Sequence, residues 1–148
     1  MISIESESGQ SFPVDLLERA ARAVLDLSGV PDADLTVVLT GDSQIQILNR
    51  DFLGKDVPTD VLAFPADESD PETGRRYLGD VIVSLPHATA QAGECGHTIE
   101  AEVQLLVVHG VLHLLGHDHT GVDDKARMWK AQAEALERLG VSSKIVYE

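Results

Sequence analysis

The sequence predicts a single α+β domain, residues 1–148, in which one β-sheet of about four strands is accompanied by about five helices. Three observations predict this class. A length of 148 residues is typical of one domain that buries its own core. A composition of 43% hydrophobic and 24% charged residues is typical of soluble globular proteins. Short runs rich in β-branched residues also alternate with longer amphipathic segments, without a repeat or a linker.

The first elements are a strand, a helix and a second strand. The segment SIES near the start alternates polar and apolar residues, as an edge strand does. Residues 12–29 have apolar positions on one helical face, and Gly29 ends that helix. The β-branched residues of Asp34–Thr40 predict the next strand.

A second helix and a pair of strands follow. Apolar residues recur at helical spacing over residues 41–54, with Asp42 or Ser43 as the predicted cap. The short apolar runs VLAFP and GDVIVS, residues 61–65 and 79–84, are predicted to be neighbouring strands.

The remaining segments are one loop and three helices. Residues 66–79 have the Gly, Pro and acidic content of a mobile loop. A short helix is predicted within residues 85–96, and a longer one within residues 98–116, capped by Thr98. The last helix is predicted from about Asp123 to Leu139.

Four histidines fall within HGVLHLLGHDH, residues 109–119, an otherwise apolar stretch. His109 and His113 are four residues apart on the predicted helix, so their side chains share one face about 6 Å apart at Cβ. Gly116 permits a left-handed turn that brings His119 back as a third nitrogen ligand. The pattern predicts a site for one metal ion per chain, bound by these three histidines.

Three protein ligands around zinc leave one position open, as in catalytic sites, where the ion lowers the pKa of a bound water to about 7. Zinc is the predicted ion, although three imidazoles also suit other transition metals. Asp118 is a candidate catalytic residue that accepts a proton from that water; it can also orient a ligand histidine or cap the next segment. His117 is expected at the rim, and His87 and His97 at the surface or at helix ends.

The net charge, the apolar runs and the cysteine count indicate which partners and which cellular location to expect. The net charge of −14 opposes electrostatic capture of a polyanion, although Arg50, Lys55, Arg75 and Arg76 allow a local basic patch. The longest apolar run, Val103–Gly116, is shorter than the roughly 20 residues of a membrane span. With no secretory signal and a single cysteine, a cytoplasmic protein without a membrane partner is expected.

The spacing His-x3-His-x5-His also equals that of the metzincin peptidases. Their general-base glutamate directly follows the first histidine, and Gly110 occupies that position here. A peptidase or amidase is therefore a weaker hypothesis, because the mechanism loses its base.

Three segments together resemble the YbeY family of zinc-dependent endoribonucleases. They are GKDVPTDVLAFP (Gly54–Pro65), LGDVIVS (Leu78–Ser84) and the histidine segment His109–His119, in the family's order. The resemblance implies an α+β domain with a small mixed sheet surrounded by helices, and a metal held by the three histidines. It also implies hydrolysis of single-stranded RNA in ribosomal RNA maturation, at the small-subunit 3′ end, and a role in ribosome quality control.

One position departs from that family, whose members commonly have an arginine where this chain has Leu53. Arg50 and Lys55 are the candidates to contact phosphate in its place, and neither is a direct replacement. The charge of −14 and the low aromatic content, 4%, predict that a ribosome or ribosomal protein presents the RNA. The alternative is a zinc-containing ribosome assembly factor with little catalysis of its own.

Overall fold

The computed structural model describes residues 1–7, 12–117 and 121–141, without the side chain of Asp67. Within these ranges the chain forms four strands and five helices, which confirms the predicted α+β class. In chain order they are β1 (Ile2–Ser6), α1 (Val14–Leu27), β2 (Asp34–Thr40), α2 (Asp42–Leu53), β3 (Val61–Ser69), β4 (Arg76–Ser84), α3 (Leu85–Cys95), α4 (Ile99–Leu114) and α5 (Val122–Arg138). None of the helices in the described ranges has the length and apolar character needed to cross a bilayer.

The four strands form one mixed sheet in the order β1-β2-β4-β3. β1, β2 and β4 are parallel, whereas β3 pairs with β4 in the antiparallel direction. The mixed sheet and the pairing of segments 61–65 and 79–84 are therefore confirmed, as is the edge position of SIES. β3 lies at the other edge of the sheet, which leaves one side of this strand available to a functional site.

Helix α4 is the central element of the core. It packs on β3 and β4 and also contacts α1, α3 and α5. Apolar side chains surround it on all sides, as expected of a helix enclosed by other elements, and Leu105, Val108 and Val111 have no exposed surface. Thr98 caps the helix as predicted, because its hydroxyl accepts a hydrogen bond from the Ala101 N–H at 3.1 Å. Side chains on α4 consequently have a fixed position relative to the sheet.

The predicted loop over residues 66–79 is wrong for most of its length. β3 continues to Ser69 and β4 starts at Arg76, so only six residues connect them. The local Gly, Pro and acidic composition favours a loop, but pairing with β2 overrides this preference. Tyr77 and Asp34 are partners in the ladder, and the Arg75 guanidinium binds the Asp34 carboxylate at 2.6 Å. Arg75, together with the amino-terminal ammonium, lowers the pKa of Asp34 to about 2.

The predicted cap of the second helix is also wrong. Gly41, and not Asp42 or Ser43, is the residue before α2, and none of the described side chains caps the helix. The Asp42 carboxylate instead accepts a hydrogen bond from the Ser84 hydroxyl at 2.6 Å, which joins α2 to the end of β4. Gly54 ends α2 with φ 73°, a left-handed conformation that glycine adopts without strain.

Candidate active site

A cavity of about 470 Å³ lies between the edge strand β3, helix α4 and the first turns of α5. Its polar lining comes from His109 and His113 on α4, Asp60 just before β3, and Lys125 on α5. Trp129 and apolar residues of β3 complete much of the wall. The size is within the range of pockets that bind small ligands or one unit of a polymer.

The two histidines of α4 converge on one point. His109 Nε2 and His113 Nε2 are 3.1 Å apart, and the two rings meet edge to face with centroids 4.7 Å apart. Two nitrogens bound to one tetrahedral zinc at about 2.0–2.1 Å would be roughly 3.3 Å from each other. The pair therefore has a separation that suits two ligands of one ion, and the donor chemistry fits zinc.

Gln132 fixes the orientation of His109. Its side-chain oxygen accepts a hydrogen bond from His109 Nδ1 at 3.1 Å, and only 4% of the residue is exposed. With the proton on Nδ1, the lone pair is on Nε2, the nitrogen that faces His113. In many metal sites a carboxylate or backbone carbonyl binds the second ring nitrogen of a ligand histidine and so fixes its tautomer and orientation. The amide oxygen of Gln132 has the same role here.

Replacing Gln132 with leucine is expected to lower zinc affinity about 10- to 100-fold, because His109 loses the partner that fixes its tautomer. Gln132→Glu retains an oxygen acceptor and is expected to stay near the wild-type affinity. Glu134→Leu removes an exposed polar side chain of the same helix and serves as the control. Competition with a zinc-binding dye measures the affinities, and an unchanged affinity in Gln132→Leu would contradict this role of the amide.

The third predicted ligand, His119, and the candidate catalytic Asp118 lie outside the described residues. Within the described ranges, no group of three or more His, Cys, Asp or Glu side chains is arranged to hold a metal. The turn that leads toward these two residues does have the predicted form. Gly116 has φ 94°, and the His117 N–H donates to the Leu112 carbonyl at 3.0 Å. The three-histidine site accordingly stays a prediction, of which the structure describes two members.

The two cations proposed to contact phosphate are not part of the cavity wall. Arg50 is exposed, and its Nε donates to the Asp51 carboxylate at 3.0 Å. Lys55 is also exposed. Leu53, which lies between Arg50 and Lys55 in the sequence, does line the cavity. The assigned role of Arg50 and Lys55 thus stays a prediction.

Sequence reasoning missed Lys125 and Trp129. Lys125 is the only Lys or Arg among the described residues that line the cavity. Its ammonium lies over the ring of Trp129, 4.4 Å from the ring centre. The signal that could have found them is their spacing: Lys125, Trp129 and Gln132 recur at i, i+4 and i+7 on one face of α5.

Asp60 lies at the cavity and is held in place by its two chain neighbours and by one residue of α3. Its carboxylate accepts hydrogen bonds from the Val61 N–H at 2.8 Å, the Thr59 hydroxyl at 3.2 Å and the Gln91 amide at 3.2 Å. The carboxylate therefore fixes the start of β3 relative to α3.

His87 and His97 lie at helix ends, as expected. His87 is in the first turn of α3, with Nδ1 3.7 Å from the Asp42 carboxylate. His97 lies between α3 and α4, but it is not a surface residue, because only 13% of its side chain is exposed. Its Nε2 contacts the carboxylate of Glu102, which is fully buried.

Gly110 explains why a metzincin glutamate does not fit here. A Cβ atom at this position would lie 2.6 Å from Cγ1 of Val81 and 3.4 Å from Cγ2 of Val61. Glycine thus lets α4 approach the sheet directly, next to His109. A glutamate here would require either the Val81 side chain or the helix to shift, which weakens the peptidase hypothesis further.

Gly110→Ala is expected to lower the free energy of unfolding by about 1–2 kcal/mol, because the cost of overpacking exceeds the better helix propensity of alanine. In a Val81→Ala background the same change should be neutral or stabilising, since the clashing methyl groups are gone. Urea unfolding of the four proteins measures both effects. Equal effects of Gly110→Ala in the two backgrounds would contradict the proposed contact.

The chain matches a protein-family model, several named relatives and a solved structure. The family model described as Endoribonuclease YbeY matches residues 2–140. Proteins named Endoribonuclease YbeY from Pelotomaculum thermopropionicum and Persephonella marina are 44% and 40% identical over 131 and 140 residues. These matches cover 86% of both chains in the first case, and 93% of this chain and 92% of the relative in the second. A solution structure from Thermotoga maritima has a TM-score of 0.61 and 29% identity, covering 99% of this chain and 97% of that chain.

Proposed function

This chain belongs to the YbeY endoribonuclease family, and on that premise we propose that its α4 cavity hydrolyses single-stranded RNA with the help of one zinc ion. Ribosomal RNA processing, at the small-subunit 3′ end, is the proposed task, together with ribosome quality control in the cytoplasm. The observation that carries the proposal is the convergence of His109 Nε2 and His113 Nε2 to 3.1 Å inside the cavity.

The chain's own residues prepare the site for an ion. Gln132 keeps the proton of His109 on Nδ1, so that Nε2 can bind. His113 supplies the second nitrogen from one helical turn later, and we assign the third to His119. When bound, zinc supplies a water of lowered pKa, about 7, and positive charge beside a phosphate. We assign to Asp118 the role of proton acceptor, which a water activated by a bound ion would require.

The cavity suits a flexible strand. Its volume of about 470 Å³ has room for a unit of a single strand, which can bend to bring one phosphate to the histidines. We propose that Arg50 and Lys55, on the exposed surface on either side of Leu53 in sequence, contact phosphates outside the cavity. Apolar residues of β3 line part of the same cavity.

The net charge of −14 affects how RNA is expected to reach the site. Long-range repulsion opposes the capture of free RNA, so we propose that a ribosome or ribosomal protein presents the strand. An assembly factor with little catalysis is favoured by the same charge and by the apolar Leu53 in the cavity wall. Tight, sequence-independent binding of free RNA at physiological salt would contradict delivery by a partner.

The substrate class is tested by incubating the zinc-loaded protein with four substrates: an unstructured single-stranded RNA, an RNA duplex, single-stranded DNA of the same sequence, and a peptide library. We expect cleavage of the single-stranded RNA only. Cleavage of peptides would restore the peptidase hypothesis. Zinc binding without cleavage of any substrate would favour the assembly factor.

A further inference from the structure

Lys125, the cation in the cavity wall, is half-buried and contacts an aromatic ring. Arg50, Arg75 and Arg127 each bind a carboxylate, at 3.0 Å or less. Lys125 forms no such ion pair with the described residues, and its ammonium instead lies over the face of Trp129. An aromatic face attracts a cation without neutralising its charge. A positive charge is therefore held at the cavity and remains able to bind an anion.

Helix α5 places this charge in the wall of the same cavity as His109 and His113. Lys125, Trp129 and Gln132 lie on one face of α5, and Gln132 is bonded to His109. Both Lys125 and Trp129 line the cavity and are half-buried. Seven residues of helix correspond to about 10 Å along the axis, so Lys125 is two turns from the point where α5 meets the metal-binding pair.

We infer that Lys125 binds a phosphate of the RNA strand next to the one that is cut, and that Trp129 positions its ammonium. The inference rests on the function proposed above. A lysine ammonium binds phosphate as a compact point charge, and partial burial beside an aromatic ring strengthens the contact by reducing competition from water. Because this contact is the same before and during the reaction, it should contribute to substrate binding and not to the chemical step.

The test compares three variants of the zinc-loaded protein in cleavage of an unstructured single-stranded RNA. Lys125→Met keeps an aliphatic side chain on Trp129 but removes the charge, whereas Lys125→Arg keeps the charge. Lys130→Met removes the same charge from an exposed position of the same helix and is the matched control. We expect KM to rise about 5- to 10-fold in Lys125→Met with kcat within about 2-fold of wild type. Lys125→Arg and Lys130→Met should stay close to wild type.

Salt dependence separates a phosphate contact from a merely structural role. The slope of log(kcat/KM) against log salt concentration should become shallower by about 0.7 in Lys125→Met, the amount for one phosphate contact of a single strand. Lys130→Met should keep the wild-type slope. A higher KM with an unchanged slope in Lys125→Met would overturn the inference.

The fluorescence of Trp129 locates the contact, because it is the only tryptophan in the chain. Addition of RNA to the wild-type protein should change its emission, with saturation at the RNA concentration that saturates cleavage. If wild-type RNA cleavage is intact but Lys125→Met equals Lys130→Met in KM and slope, this inference fails and the proposed function stands. If the wild-type protein neither binds nor cleaves RNA, both fail.

Discussion

His113→Ala is expected to abolish stoichiometric zinc binding and to reduce RNA cleavage at least about 100-fold. The variant removes one of two ring nitrogens that lie 3.1 Å apart in the cavity. At most two histidine ligands would remain, His109 and the predicted His119, which is fewer than catalytic zinc sites have. Metal content after gel filtration and the rate of cleavage of single-stranded RNA measure the two effects.

The matched control is His87→Ala, prepared in the same way. His87 is a partly exposed histidine of α3 and is not among the residues that line the cavity. It should retain wild-type metal content and cleavage. Near-stoichiometric zinc in His113→Ala would contradict the metal site, and equal cleavage by wild type and His113→Ala would identify a contaminating nuclease.

Gly79→Ala is expected to have the largest effect on stability, a loss of about 3–5 kcal/mol in the free energy of unfolding. Gly79 has φ 132°, a conformation that residues with a side chain rarely adopt. A Cβ atom there would lie 2.1 Å from the Phe64 carbonyl oxygen and 3.0 Å from the Ala66 nitrogen. Both neighbours are backbone atoms, so β3 itself would have to move at the irregularity after Pro65.

Gly93→Ala in α3 is the control for this prediction. Apart from the chain neighbours and the backbone of the same helix, no atom of the described residues lies within 4 Å of a Cβ at Gly93, and alanine has the higher helix propensity, so the variant should be neutral or more stable by up to about 1 kcal/mol. Denaturant unfolding followed by circular dichroism measures both proteins. A loss below about 1 kcal/mol in Gly79→Ala would show that the strand junction relaxes around the added methyl group.

Much of the fold follows from local sequence patterns. The β-branched run Asp34–Thr40 forms β2 with the predicted bounds, and Thr98 caps α4, because both signals depend only on nearby residues. The histidine pair is predictable for the same reason, since i and i+4 positions always share a helix face. The hairpin beyond Pro65 was missed because it is stabilised by contacts with β2, which lies more than about 40 residues earlier in the chain.

The rest of the candidate site depends on contacts between elements. Gln132 reaches His109 from a different helix, 23 residues later, and no spacing rule connects the two. Lys125 and Trp129 become part of the cavity only because α5 packs against α4. The sequence shows that Gly110 stands where metzincins have a glutamate. The physical reason for glycine, the close approach of Val81, can be found only in the folded structure, because Val81 belongs to the sheet.

Metal titration of RNA cleavage shows whether an ion held by the α4 histidines is required to cut RNA. The protein is stripped of metal with a chelator and dialysed, and cleavage of an unstructured single-stranded RNA is followed as zinc is added back. We expect no cleavage by the stripped protein and recovery that is linear up to one zinc ion per chain. Undiminished cleavage by protein verified to be free of metal would contradict it.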